Sequence, residues 1–497
     1  LMRSSAASDV YKRQRFTQSV NIDVNTGKFG SYTSYRRQQA EGWQLNPYEE
    51  NSKTHELEET GKVASTGFYA NTVNQKFTFD ATDKLSFYAR GGYYDNKTRR
   101  PYEAYDYNIL HETFNYGIGA QYMINKGNYI TADCYADHFS SSYCFFKDNK
   151  TYNGKAGEEQ VRKRTRNHNL SIKGIFKLGN RHKLSVGTEY IVDVLKSQTD
   201  NIAKEDAYTL ALFAQDEIKL LRNLQALIGV RYIYHENFKN HATPNVALMY
   251  KPGKFNFRAS YAAGFRTPTL SELYATDIAK KNDRLTIGNL DLKPEKNNYF
   301  SLSAEYVHER FSVSVNAFYN NIRDMIDYNT IATGDKAMEQ YGHKEVRQRD
   351  NIAEAKVHGI NVSANAYLGA GFNLSGGYTH LNTQDVELGQ PIDKSIKNAY
   401  NINAQWAHSW KIYRLNINLN GRINSKRFSK SYGYAPEYQL WDLNTRHSFN
   451  LKSVIIEPGC GMENLFDYMD DRPYNSNYAT LTPGRSFYIS LSLKFKS

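Results

Sequence analysis

Four residues within seven positions could hold a charged, metal-bearing ligand: Tyr341, His343, Lys344 and Arg347. A neutral imidazole ligates iron well, and the flanking cations could meet propionates or phosphate. The same residue types are common on any wet loop, and the other loop histidines, His55, His111 and His241, are read as surface residues. Asp467, Asp470 and Asp471 form a second cluster. Three carboxylates could contribute to a Ca²⁺ site, which takes six to eight oxygens; solvated loop acids give the same pattern. A third group is the basic run Arg162, Lys163, Arg164 and Arg166 beside Glu158 and Glu159. For catalysis there is no nucleophile elbow, phosphate loop or zinc spacing, so no enzyme and no cofactor is expected.

The elements that must position these residues are written in short apolar–polar alternation. Leu170, Ile172, Phe176 and Leu178 fall on one face of a period-two segment, with Lys173 and Lys177 on the other. Phe311, Val313, Val315 and Ala317 alternate with Ser312, Ser314 and Asn316, and Leu415, Ile417 and Leu419 with Asn416, Asn418 and Asn420. In the final segment Phe487, Ile489, Leu491, Leu493 and Phe495 point one way and Tyr488, Ser490, Ser492 and Lys494 the other. Strands of this kind carry one apolar and one polar face.

Two kinds of connection separate them. Tight turns are expected near residues 26–28, 82–84, 125–127, 178–180, 221–223, 251–253, 308–310, 368–370, 409–411 and 450–452, several supplied with Gly or Asn for positive φ. Long, charged, aromatic connections are expected at 41–62, 97–108, 145–160, 266–295, 327–352 and 467–482. Ten tight turns join about 20 strands, and one more closes the chain. Strands apolar outside and polar inside, with turns short at one end and long at the other, describe a transmembrane β-barrel. The fold class expected is therefore all-β: a large antiparallel transmembrane barrel with about 21 strands present of an expected 22, the size at which a barrel lumen is plugged.

Composition fits. No run approaches the roughly 18 apolar residues of a membrane helix. Forty Tyr among 497 residues suit interface girdles. The net charge of +12 is scattered and comes with no recognition motif, so nucleic acid is not an expected partner. Outer-membrane lipid is; alternation would send half of the 162–166 run into the lumen, and for the run either contact with lipopolysaccharide phosphates or plain solubility is open. Cys134 and Cys144 flank a Ser-rich segment read as a turn, where a disulfide across a hairpin is open; Cys460 stands apart. Residues 1–14 neither alternate nor lead into the first strand and are set aside as a non-native stretch, leaving residues 15–497 as the barrel domain.

Several segments resemble the boxes of TonB-dependent outer-membrane receptors. Tyr261 to Tyr274, with Gly264, Phe265, Arg266 and Pro268, resembles the "FRAP" box. Gly288 to Glu295, with Asn289, Asp291, Leu292, Pro294 and Glu295, resembles the "NPDL" box, with Leu290 in place of the usual Pro. Asn316–Ile322 with Met325 and Ile326 is similar to the next family strand, and Asn351 to Gly359 to the element after it. Asn464, Leu465 and Phe466, then Pro483, Gly484 and Arg485, then the terminal aromatic Phe495 are similar to the carboxy-terminal signature, although Lys496 and Ser497 come after it. The wording is closest to haem- and cobalamin-receptor-like members from Bacteroidetes. The resemblance covers residues 16–497 and implies active import of a scarce metal chelate, such as haem, a ferric siderophore or cobalamin, powered by TonB–ExbB–ExbD through a plug domain with a TonB box. No counterpart of that plug precedes Phe16, so the chain is read as a receptor fragment; the alternative is a passive large-pore channel. A surface lipoprotein is a further expected partner. Haem receptors of the family place a His between the two boxes, and residues 269–288 have none, which leaves Tyr274 as a phenolate candidate beside Arg266.

Overall fold

Period-two alternation becomes a barrel wall. The computed structural model describes residues 14–51, 54–279, 283–430, 432–470, 472 and 482–495. Its main sheet has 23 strands. Two of them, Thr276–Ala279 and Arg284–Ile287, belong to a loop, and 21 long staves remain. Every stave-to-stave pairing is antiparallel between chain neighbours. Ten tight connections of two to four residues lie at one end, from 26–28 after Arg15–Asn25 to 451–453 before Val454–Glu463; at the other end 198–201 and 236–238 are as short, against the expectation, and the rest are longer. Left-handed glycines close some of them, Gly27 at φ 82° and Gly127 at φ 97°.

The apolar faces turn outward. Ile118 is 65% exposed, Leu170 50%, Leu302 64% and Ile489 88%. Such exposure would be ruinous in water and is what lipid solvates. The polar faces bond across staves instead: Thr33 Oγ1 donates to Gln75 (2.5 Å), and Asn403 Nδ2 lies 2.6 Å from Oδ1 of both Asn418 and Asn420. The Asn ladder thus has partners in the wall. Aromatic rings gather at two levels. Phe372, Trp406, His408, Trp410, Tyr413 and Phe449 form a continuous cluster at the tight-turn end. Tyr190, Tyr208 and Tyr234 stand in a row at the other level, neighbouring rings tilted by 36° and 35°.

Dry packing is found in the loops. Leu273, Leu292 and Ile326 form one buried cluster with Phe238 and Tyr274 against it. Ala332, Ala337 and Val346 form another with Leu285, Ile287 and Ile331.

Several expectations are corrected. Cys134 and Cys144 lie on one continuous strand, Asn128–Phe145, with Ser140–Ser142 in its interior. Ten residues of strand separate them by about 33 Å, far beyond a disulfide's reach, and both are free thiols. The connection read at 327–352 is mostly strand: Phe311–Thr333 and Glu345–Gly369 continue above the wall and leave only 334–344, which holds the helix Gly334–Tyr341. Long connections at 386–397 and 425–437 went unread. His111 and His241 sit in staves, the first stacked on Phe139 and the second on Phe265.

The first stave, Arg15–Asn25, pairs on one side with Phe29–Ala40, and the last, Ser486–Phe495, on one side with Val454–Glu463. Both run from the long-loop end to the tight-turn end. They are parallel to each other, so antiparallel closure between them takes one further, opposite strand.

Candidate functional site in the loop apron

The resembling boxes meet where stave Phe255–Arg266 ends and stave Glu295–Val307 begins. Arg266 and Glu295 are opposite partners in the ladder. Arg266 Nε donates to Glu295 Oε2 (2.8 Å) and Nη2 to Glu295 Oε1 (2.6 Å), while Nη1 and Nη2 reach both oxygens of Glu272 at 2.9 and 3.2 Å. Glu272 caps the helix Leu270–Tyr274 in a capping box: its carboxylate accepts from the Thr269 backbone N–H (2.8 Å), and Thr269 Oγ1 accepts from the Glu272 N–H (3.2 Å). Glu295 also accepts from the Ile326 N–H at 2.9 Å. Burial alone would raise both carboxyls, but the bonds from Arg266, with Thr269 at one and Ile326 at the other, outweigh it and hold both below the usual range. The guanidinium in turn is held well above its ordinary value by Glu295 and Glu272.

The other signature residues fix loop backbone. Asn289 Nδ2 donates to the Arg349 carbonyl (3.0 Å) and its Oδ1 accepts from Asp291 N–H (2.9 Å). Asn351 bonds the Lys293 N–H and carbonyl at 2.7 and 2.9 Å. A Cβ on Gly288 would stand 2.5 Å from the Leu273 carbonyl oxygen, so only glycine lets the two segments touch. Leu292, 3% exposed, anchors the loop core. At the carboxy-terminal signature Asn464 is buried, donates to the Tyr468 carbonyl (2.7 Å) and accepts from the Tyr468 N–H (2.9 Å). Asp467 accepts from the Arg485 N–H at 2.7 Å.

Two loops are welded into one body. The hairpin Thr276–Ala279 with Arg284–Ile287 adds its second strand parallel to Glu345–Gly369, pairing Arg284 with Glu345 and Thr286 with Arg347. A cleft opens beside the weld, lined among others by Asp200, Ser271, Arg284, Tyr328, Arg347 and Arg349. The Arg349 guanidinium lies 3.6 Å from the centroid of the Tyr328 ring and bonds its hydroxyl at 2.6 Å. Arg347 Nε bonds Glu345 at 2.5 Å, and Arg284 Nε is shielded from solvent without a partner among the described residues. Asp277, also in the wall of the cleft, has its carboxyl raised by burial and then by Asp200. Three convergent guanidinium groups suit a planar anion.

Of the residues expected to bind, Arg347 lines this cleft and Arg266 lies in the ion-pair knot below it. Tyr341, His343 and Lys344 do not line it. His343 Nδ1 pairs with Asp283 at 2.9 Å, Lys344 N–H bonds the Asp283 carbonyl (3.0 Å), and Tyr341 ends its helix half-exposed. Tyr274 faces a second cleft with Glu236, Phe238 and Leu290, and burial followed by Glu205 and Glu236 raises its phenol. His55 pairs with Glu50 at 2.8 Å. Asp470 is held by Arg472 (2.6 and 2.9 Å), Asp467 is engaged by the Arg485 N–H, and Asp471 is outside the described residues. Arg284, Arg349, Tyr328 and Asp200 were missed by sequence reading. The alternation Glu345, Arg347, Arg349 was the available signal, since it puts three charges on one face of a strand.

Comparison with known proteins agrees with this architecture. The family model described as "TonB dependent receptor-like, beta-barrel" matches residues 10–464. The ferric enterobactin receptor of Pseudomonas aeruginosa is 23% identical over 373 residues, 64% of this chain and 49% of that protein, so the chain spans about half the length of the curated relative. A solved structure of that receptor, PfeA, superposes with a TM-score of 0.79 at 16% identity, covering 97% of this chain and 77% of the other. The siderophore receptor PirA from Acinetobacter baumannii gives 0.74 at 14% identity, covering 97% and 77%. At such identities the structures speak for the fold. No helix among the described residues is long and apolar enough to cross a membrane, and the staves are the elements shaped to do so. Matched by the family model over nearly its whole wall, the chain belongs to the TonB-dependent receptor family, a family of outer-membrane receptors, as its β-barrel.

Proposed function

We propose that the chain is the barrel of an outer-membrane receptor that imports a ferric siderophore with energy from TonB–ExbB–ExbD. The observation that carries this reading is the cleft where Arg284, Arg347 and Arg349 converge at the weld between the two loops. Guanidinium groups recognise the anionic edges of a chelate without touching its metal. The two side chains best suited to ligate iron directly are occupied otherwise. Burial, then Glu205 and Glu236, raises the Tyr274 phenol and so disfavours the phenolate that iron would need, and His343 is paired with Asp283. A cargo whose iron is already saturated by its own ligands needs neither, which favours a siderophore over haem. The similarity to receptors for ferric enterobactin and siderophores supports the same class.

The test uses the full-length receptor carrying this barrel, in cells with and without TonB. Radioactive iron presented as a ferric catecholate siderophore should accumulate only with TonB. Replacing Arg284, Arg347 and Arg349 together by Ala should weaken binding about tenfold or more. Uptake of haem or cobalamin in place of the siderophore would overturn the cargo assignment. Steady conductance of the intact receptor in planar bilayers would favour a passive channel instead. Co-purification of a surface lipoprotein would add a capping partner.

A further inference from the structure

The basic run at 162–166 divides by face. Lys163 reaches Asp200 at 3.5 Å, and Arg162 bonds Gln198 at 2.9 Å and lies over the rings of Tyr143 and Tyr152. Arg164 and Arg166 are different. They share the outward face of strand Glu159–Leu178 with the lipid-facing Leu170 and Ile172. In register, Arg166 stands between His138 and Val194, and Arg164 between Ser140 and Lys196, on the neighbouring strands Asn128–Phe145 and His182–Ser197. Arg164, Arg166 and Lys196 are all exposed, and none makes an ion pair or hydrogen bond with a described residue.

Their height matters. Arg166 is twelve residues and Arg164 fourteen residues above Leu178 at the tight-turn end. At ~3.3 Å per residue and a 45° tilt these are about 28 and 33 Å up, just past an apolar band about 25 Å tall. His168 and Tyr190 mark the upper interface directly below them. The outward carboxylates on nearby staves are engaged: Glu112, two staves from Arg164, with Tyr93 (2.8 Å) and Ser140 (3.4 Å), and Asp206, one stave from Lys196 and opposite Val194, with Lys204 (3.2 Å). Like charges placed opposite each other, as Arg164 and Lys196 are, destabilise a sheet unless an anion lies between them. The membrane surface offers such an anion at this height.

We propose that Arg164, Arg166 and Lys196 form a docking patch on the outer wall for the phosphate groups of lipopolysaccharide in the outer leaflet. Guanidinium forks hold phosphate in two-bond geometry, and Lys196 adds a point charge. The His138 and His168 rings, 5.4 Å apart edge to face, lie beside and below Arg166. This site is outside the barrel and independent of the cargo cleft.

The experiment compares the full-length receptor with its R164A/R166A/K196A variant, each purified in detergent and checked for heat-modifiable migration. The probes are bisphosphorylated lipid A, lipid A stripped of phosphate, and phosphatidylglycerol, read by native mass spectrometry. The wild type should prefer bisphosphorylated over dephosphorylated lipid A about tenfold or more, and the variant should lose that preference while binding the dephosphorylated form equally. An unchanged preference in the folded variant overturns the proposal. Equal binding of phosphatidylglycerol by the wild type overturns the assignment to lipopolysaccharide. If the triple variant does not fold, R166Q replaces it, with a partial loss of preference expected and no loss counting against the patch.

Discussion

At Arg266 the planar guanidinium does what an ammonium cannot. Its three nitrogens reach two carboxylates, one from each resembling box, and those carboxylates in turn hold a helix cap and the Ile326 N–H. Arg266→Lys keeps the charge but supplies a single point contact, leaving half-buried acceptors unmet at a cost of roughly 1–3 kcal/mol. Limited proteolysis within 276–287 should therefore accelerate in Arg266→Lys nearly as much as in Arg266→Ala; rescue by Lys would mean that charge alone suffices. The same knot sets a pH response. Glu272 and Glu295 have carboxyls depressed in the folded state, so their contribution is complete above the ordinary carboxyl range near pH 4.5 and is lost as pH falls through the lower folded values. Loop protection against protease should be flat from pH 5 to 8 and fall below about pH 4; a loss centred near pH 6 would point to a histidine instead. The residue types of this knot were legible as family boxes. Their mutual bonding was not, because Arg266, Glu272, Glu295 and Ile326 meet only once three separate segments have folded.

At the scale of elements, legibility tracked solvent contrast. The ten tight turns at one end were readable, since the wall beneath them has lipid on one face and water on the other, and alternation there is sharp; the short connections 198–201 and 236–238 at the other end were not. Above the membrane both faces are wet. Phe311–Thr333 and Glu345–Gly369 continue there as strands, yet 327–352 reads as loop because the alternation loses its apolar half. The weld between hairpin 276–287 and strand 345–348 was equally hidden, since parallel pairing joins residues about sixty positions apart. Val346 is its keystone: fully buried, it packs on Ala332 and Ala337 from its own loop and against Leu285 and Ile287 from the other. Val346→Asp would bury an unpaired carboxylate at a cost of several kcal/mol. Amide exchange should then rise together over 276–279, 284–287 and 345–348 while the staves below stay protected. A rise confined to 345–348 would show that the two loops are ordered independently and that the arginine cleft is not one rigid body.

For the whole molecule the decisive quantity is closure. A barrel spans lipid because every backbone group of its wall is paired, and each unpaired group in the hydrocarbon region costs several kcal/mol. Among the described residues the wall has 21 staves, and its first and last run the same way, each paired there on one side. Arg15–Asn25 is exposed along its entire length and Ser486–Phe495 nearly so. Edges of that length are templates for pairing with another chain. A polypeptide of residues 1–497 alone should accordingly aggregate, or assemble edge to edge, when refolded into detergent, and should lack the heat-modifiable band of a closed barrel. Parity says what would cure it. One alternating strand placed ahead of Arg15, entering from the tight-turn end and joined through a long-end connection, runs opposite to both edges and can pair with each. That extended chain should gain heat-modifiable migration and monomeric behaviour. Two added strands should not, since the second restores a parallel mismatch at the seam. Clean closure of the 497-residue chain by itself would mean that its edges pair parallel, contrary to every other seam between staves in the wall.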